Sequence, residues 1–62
     1  MDGLSKDALF AFMITKKPVS VRDHITGMIH RGVVKHVESE PGHESNVLVT
    51  LDDRMVYHRT AG

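Results

Sequence analysis

The apolar positions of this chain come first as a dense cluster, then at helical spacing, then in alternation. The cluster is "ALFAFMI", Ala8 to Ile14. Ser5 before it suits an N-cap, because its hydroxyl can accept from a first-turn N–H, and Leu4 and Leu9 stand where a hydrophobic staple forms. Pro18 biases Lys17 away from helical geometry. Together these signals predict a helix over about residues 5–15. Leu9, Phe12 and Met13 share one side of it, whereas Phe10 and Ile14 lie off that stripe. A short apolar run also fits a buried strand or a dense core, since it carries no decisive period. Read as a helix, its surplus apolar surface at Leu9, Phe10, Met13 and Ile14 points to a homodimer interface or to another partner docked there.

The next rhythm is read from "SVRDHITGMIHRG", residues 20–32. Ser20 with Asp23 three residues on matches a helix-start signature, and Asp23 would favour the positive end of the helix dipole. Val21, Ile25, Met28 and Ile29 fall on one side at helical spacing, and Gly32 supplies a left-handed stop. The pattern predicts a second helix over 20–31. Alternation follows in "VVKHVES" and "NVLVTL", with Val47, Val49 and Leu51 on one face. Strands are expected at about 33–39, 46–51 and 55–59, joined by the turn-rich "EPGHES" and by "DDR". The expected fold class is α+β: two N-terminal helices followed by a two- or three-stranded antiparallel β-meander, in one small domain spanning 1–62.

Charge sharpens this picture. Eight basic and eight acidic residues cancel, so nothing global advertises nucleic acid. Their distribution is uneven, however. Residues 16–36 carry Lys16, Lys17, Arg22, Arg31 and Lys35 against Asp23 alone, and residues 37–53 carry Glu38, Glu40, Glu44, Asp52 and Asp53 without a lysine or arginine. A basic middle beside an acidic hairpin makes a dipolar molecule, able to meet phosphate on one face or proteins on two. No cysteine is present, so disulfides and thiolate metal sites are excluded. The absence also fits a reducing compartment.

The longest apolar run is too short to span a bilayer, and a leader with Asp2 and Asp7 against Lys6 is unlike a signal peptide. A cytoplasmic protein is therefore expected, without membrane contact. His24, His30 and His36 recur every six residues, a spacing that spreads them around a helix, and no metal is expected. No nucleophile elbow or phosphate loop is found, so neither an enzyme nor a cofactor is expected.

From Ser20-Val21-Arg22 through Ile25, Met28 and Ile29 to Gly32-Val33-Val34, the chain resembles the recognition helix and wing of a winged helix-turn-helix domain. The resemblance extends in outline over residues 4–51, with Leu4–Ile14 as the preceding helix and "TKKPV" as the turn. It implies a winged-helix-like fold and a small DNA-binding, transcription-regulating protein whose helix 20–31 enters the major groove of duplex DNA. Arg22, Thr26, His30 and Arg31 would then face the DNA, with Lys16 and Lys17 on backbone phosphate. A solvated polar face explains the same residues equally well. The rival function is a protein-binding inhibitor or adaptor of phage or plasmid type, aimed at a host protein such as RNA polymerase. The acidic hairpin, zero net charge and over-apolar first helix favour that rival.

Overall fold

The computed structural model describes residues 4–52 and 54–60, with His43 and Glu44 through their backbone alone. Among the described residues one helix, α1 (Lys6–Thr15), is followed by five strands: β1 (Val19–Arg22), β2 (Ile29–Gly32), β3 (Val34–Glu40), β4 (His43–Leu51) and β5 (Arg54–Arg59). The Ser5 hydroxyl accepts from the Ala8 N–H at 3.1 Å and starts α1. Lys16 ends it in the left-handed region at φ 60°, its N–H bonded to the Phe12 carbonyl at 2.9 Å.

The second helix expected over 20–31 does not form, and with it goes the architecture of two N-terminal helices before a wing. Those residues make an antiparallel hairpin instead, with Val19 opposite Gly32 and Arg22 opposite Ile29. The physical reason lies in the residues themselves. Val19, Val21, Ile25, Thr26 and Ile29 are β-branched and lose rotamer freedom in a helix. Gly27 would sit in a helix interior at a cost of about 1 kcal/mol, whereas here it occupies a turn at φ 78°. The helical spacing of Val21, Ile25, Met28 and Ile29 was coincident with strand, turn and strand. Val21 alone of these is buried; Ile25, Met28 and Ile29 are exposed.

The meander expected further along is present. Strands β3, β4 and β5 form a second antiparallel sheet in that order. Simple alternation places Val34 and Val37 on opposite faces of β3, yet both are buried. A register shift between Val34 and His36 absorbs Lys35 as an extra residue and turns both valines inward. Leu51 pairs with Arg54, so two residues close the β4–β5 turn, with Asp52 in the left-handed region at φ 44°.

One core lies between the sheets and beneath α1: Leu9 from the helix, Val21 from β1, Val34 and Val37 from β3, Val47, Val49 and Leu51 from β4, and Val56 from β5. Leu4, Phe12, Met13 and Val19 pack against its rim. No helix among the described residues is long and apolar enough to cross a membrane.

His58 is buried within this core and links three parts of the chain. Its Nδ1 stands 3.0 Å from the Arg22 carbonyl, and its Nε2 receives the Leu4 N–H at 3.1 Å. Nε2 also stands 3.2 Å from the Leu4 carbonyl, so the ring lies against backbone polar groups at both nitrogens. Gly32 is buried where the chain passes from β2 to β3, and a Cβ there would lie 2.6 Å from Asp52 Oδ2.

Two outcomes follow for stability, both read from urea denaturation midpoints. His58→Leu strands the Leu4 N–H and Arg22 carbonyl without partners and should cost about 2–3 kcal/mol. Gly32→Ala should cost about 1–2 kcal/mol through overpacking. Most of that cost should vanish in an Asp52→Gly background, which removes the clashing carboxylate and suits the positive φ.

Candidate functional site

The outward faces of the two sheets differ in chemistry. In the β3–β4–β5 sheet, strand register lines up side chains in rows across the outer face. His36, Thr50 and Met55 form one row, and Glu38, Leu48 and Tyr57 form the next. Met55 is 65% exposed and Tyr57 50% exposed, with Leu48 half-buried between its neighbours. Their alternates Val47, Val49, Val56 and His58 fill the core. The outer face thus holds an apolar centre that contributes nothing to the interior.

Beside Tyr57 the sheet forms an open cleft of about 290 Å³, lined by Glu38, Ser39, Glu40, Pro41, Leu48 and Tyr57. Leu48, Pro41 and Tyr57 supply apolar walls, and the two glutamates supply negative charge. Both glutamates are exposed, so neither carboxylate is consumed by the fold's interior.

The β1–β2 turn is fixed to this same sheet through Asp23. Its Oδ1 accepts from the Ile25 N–H at 2.8 Å and the Thr26 N–H at 3.1 Å, and its Oδ2 accepts from the Tyr57 N–H at 3.4 Å. The Asp23 backbone closes the turn as well, giving its N–H to the Met28 carbonyl and accepting from the Gly27 N–H, each at 2.8 Å. The next residue, His24, donates its N–H to the Tyr57 carbonyl at 2.8 Å. The turn is therefore pinned to β5 at the residue that lines the cleft. It holds Ile25 and Met28 in solvent, at 67% and 60% exposure.

Hydrogen bonding from the Thr26 N–H is the main reason the Asp23 carboxyl titrates below its ordinary value; burial opposes it, and the Ile25 and Tyr57 N–H groups and His24 assist. This inverts the role expected from sequence, where Asp23 was assigned to a helix start.

The residues expected to face DNA are spread over several surfaces. Arg22 and Arg31 are exposed on the outer face of the β1–β2 ribbon, opposite the side that buries Val21 and Gly32. The Arg22 guanidinium reaches back over the turn, within 3.9 Å of where a Gly27 Cβ would stand. Thr26 belongs to the turn, its hydroxyl accepting from the Met28 N–H at 3.2 Å. His30 is half-buried and pairs in register with Val21. Lys16 and Lys17 sit exposed after α1. Of the residues expected at a dimer or partner interface, Leu9 is wholly buried in the chain's own core and Met13 half-buried, whereas Phe10 and Ile14 are 38% and 77% exposed.

Sequence reasoning missed Tyr57, Leu48 and the turn built on Asp23. A signal for the turn was available in "DHITG", because an Asp that can bond backbone N–H groups two and three residues on, with a Gly to close, is a turn composition. The Glu38–Leu48–Tyr57 row depends on pairing register, which local pattern does not state. No family model, curated protein or solved structure matches the chain.

Acid titration tests the role of Asp23. Its folded carboxyl lies below its unfolded value, so the ionised group stabilises the fold above roughly pH 4 and that contribution is lost as pH falls through the folded value. Asp23→Asn should lower stability at neutral pH by about 1–3 kcal/mol and flatten the acid limb of the stability–pH profile measured by circular dichroism.

Proposed function

We propose that this chain is a non-catalytic protein-binding module that docks a partner on the outer face of its β3–β4–β5 sheet. One observation carries the reading: Met55 and Tyr57 are held outward in adjacent rows of a paired sheet, beside a cleft, without serving the core. Apolar side chains scattered over a surface need no explanation, but neighbouring ones around a concavity mark interaction sites. The chain's zero net charge and its acidic hairpin suit a protein partner better than a polyanion. The adaptor or inhibitor reading keeps this support without any winged-helix geometry.

A second reading has a specific observation in its favour. Arg22 and Arg31 share the outer face of a two-stranded ribbon, and such a ribbon is narrow enough to enter a major groove. Binding of DNA would then proceed through strands, with Lys16 and Lys17 as candidate phosphate contacts.

Affinity capture from a soluble cell extract, with and without nuclease, separates the two. The protein-binding reading expects discrete proteins that survive nuclease, persist with Arg22→Ala/Arg31→Ala, and fall at least about tenfold with Met55→Lys/Tyr57→Lys, a loss typical of central interface anchors. Recovery that disappears with nuclease and with the arginine variant overturns it in favour of nucleic acid.

A further inference from the structure

We infer that the cleft at Tyr57 accepts an arginine or lysine side chain from an extended partner segment that pairs with the unpaired edge of β3. The inference rests on the protein-binding reading above and names the chemistry of the partner.

Three features of the described residues converge on it. First, β3 pairs with β4 on one side only and forms an edge of its sheet. Its run His36–Ser39 keeps regular register with β4, from Thr50 back to Val47, so its unpaired backbone groups can template an added strand. Second, an added strand extends the existing rows. A residue opposite Glu38 continues the Glu38–Leu48–Tyr57 row on the outer face, where opposite charges on neighbouring strands attract. Third, the cleft is built for a long cationic side chain. Leu48, Pro41 and Tyr57 can cover an aliphatic stem, Glu38 and Glu40 can meet the charged head, and the Tyr57 ring offers a face to the cation.

Charge decides among possible occupants. An acidic segment or a nucleic acid would bring negative charge against two glutamates. A purely apolar segment would leave both carboxylates at the rim unanswered. A volume of about 290 Å³ also falls at the small end of ligand pockets, suited to a side chain or two and too small for a helix.

The protein carries a built-in reporter, because Tyr57 is its single tyrosine and it has no tryptophan. The probe is a short acetylated peptide with two arginines at alternate positions in a valine–threonine background, lacking aromatic residues. Titrated into the intact chain at low salt, it should change Tyr57 emission saturably and shift the amide resonances of His36–Ser39. Glu38→Gln/Glu40→Gln, at exposed positions, should keep the circular dichroism spectrum and weaken the peptide about tenfold. The same peptide with glutamates for arginines should not bind.

Equal binding by the glutamine variant, or shifts centred on Arg22 and Arg31, overturns the inference. So does a Tyr57 change that grows with the concentration of the protein alone, which would assign the cleft to a second copy of the chain. Peptide failure with capture still lost in Met55→Lys/Tyr57→Lys overturns the basic-segment chemistry while leaving the docking face in place. Failure of both removes the face itself.

Discussion

The meeting of residues 22–24 with Tyr57 and His58 holds the two sheets as one body. The β1–β2 hairpin is small, and Val21 is its only apolar side chain wholly inside the core. What fixes it to the larger sheet is polar and specific. Asp23 takes the Tyr57 N–H, His24 gives its N–H to the Tyr57 carbonyl, and the Arg22 carbonyl meets the His58 ring. The same ring reaches Leu4 ahead of α1, so the helix entry, the first hairpin and the last strand share one junction. In a chain without disulfides and with few core residues, such satisfied buried bonds help to specify one arrangement of the parts.

That junction also organises the surface. β5 turns Val56 and His58 inward to be packed and bonded, which leaves Met55 and Tyr57 outward on the other side of the same pleat. The Asp23 turn is bonded to the Tyr57 backbone and leaves its own Ile25 exposed. A surface held by a rigid scaffold meets a partner with little ordering cost, which is the condition for a useful docking face. The basic ribbon and the acidic hairpin are likewise separated by construction. Arg22 and Arg31 lie on the outer side of one sheet, and Glu38 and Glu40 belong to the edge strand of the other.

The second helix failed for an instructive reason. A spacing of apolar residues at three and four positions describes a helix only if those residues are buried on one side. Of the apolar residues in 20–31 only Val21 is, and the competing signals, β-branching and a Thr-Gly turn, carried the outcome. The resemblance to a recognition helix followed from the same spacing. Once the segment is a hairpin, Thr26 serves the turn and His30 lies on the Val21 side, and the arginines remain as the outward basic pair.

By itself the sequence determined the features that depend on near neighbours. Ser5 capped α1, Pro18 followed its end, and alternation with turn residues marked three strands in order, because capping, proline geometry and pleat period act within a few residues. The uneven charge was equally plain. Tertiary structure alone decided that residues 19–32 would fold as strand, turn and strand, that Lys35 would be absorbed in a bulge to bury both Val34 and Val37, and that His58 would become the buried link. It also decided which strands stand side by side, and so set Glu38, Leu48 and Tyr57 in one row. Each of these rests on contacts between residues far apart in the chain, whose partners no local pattern can name.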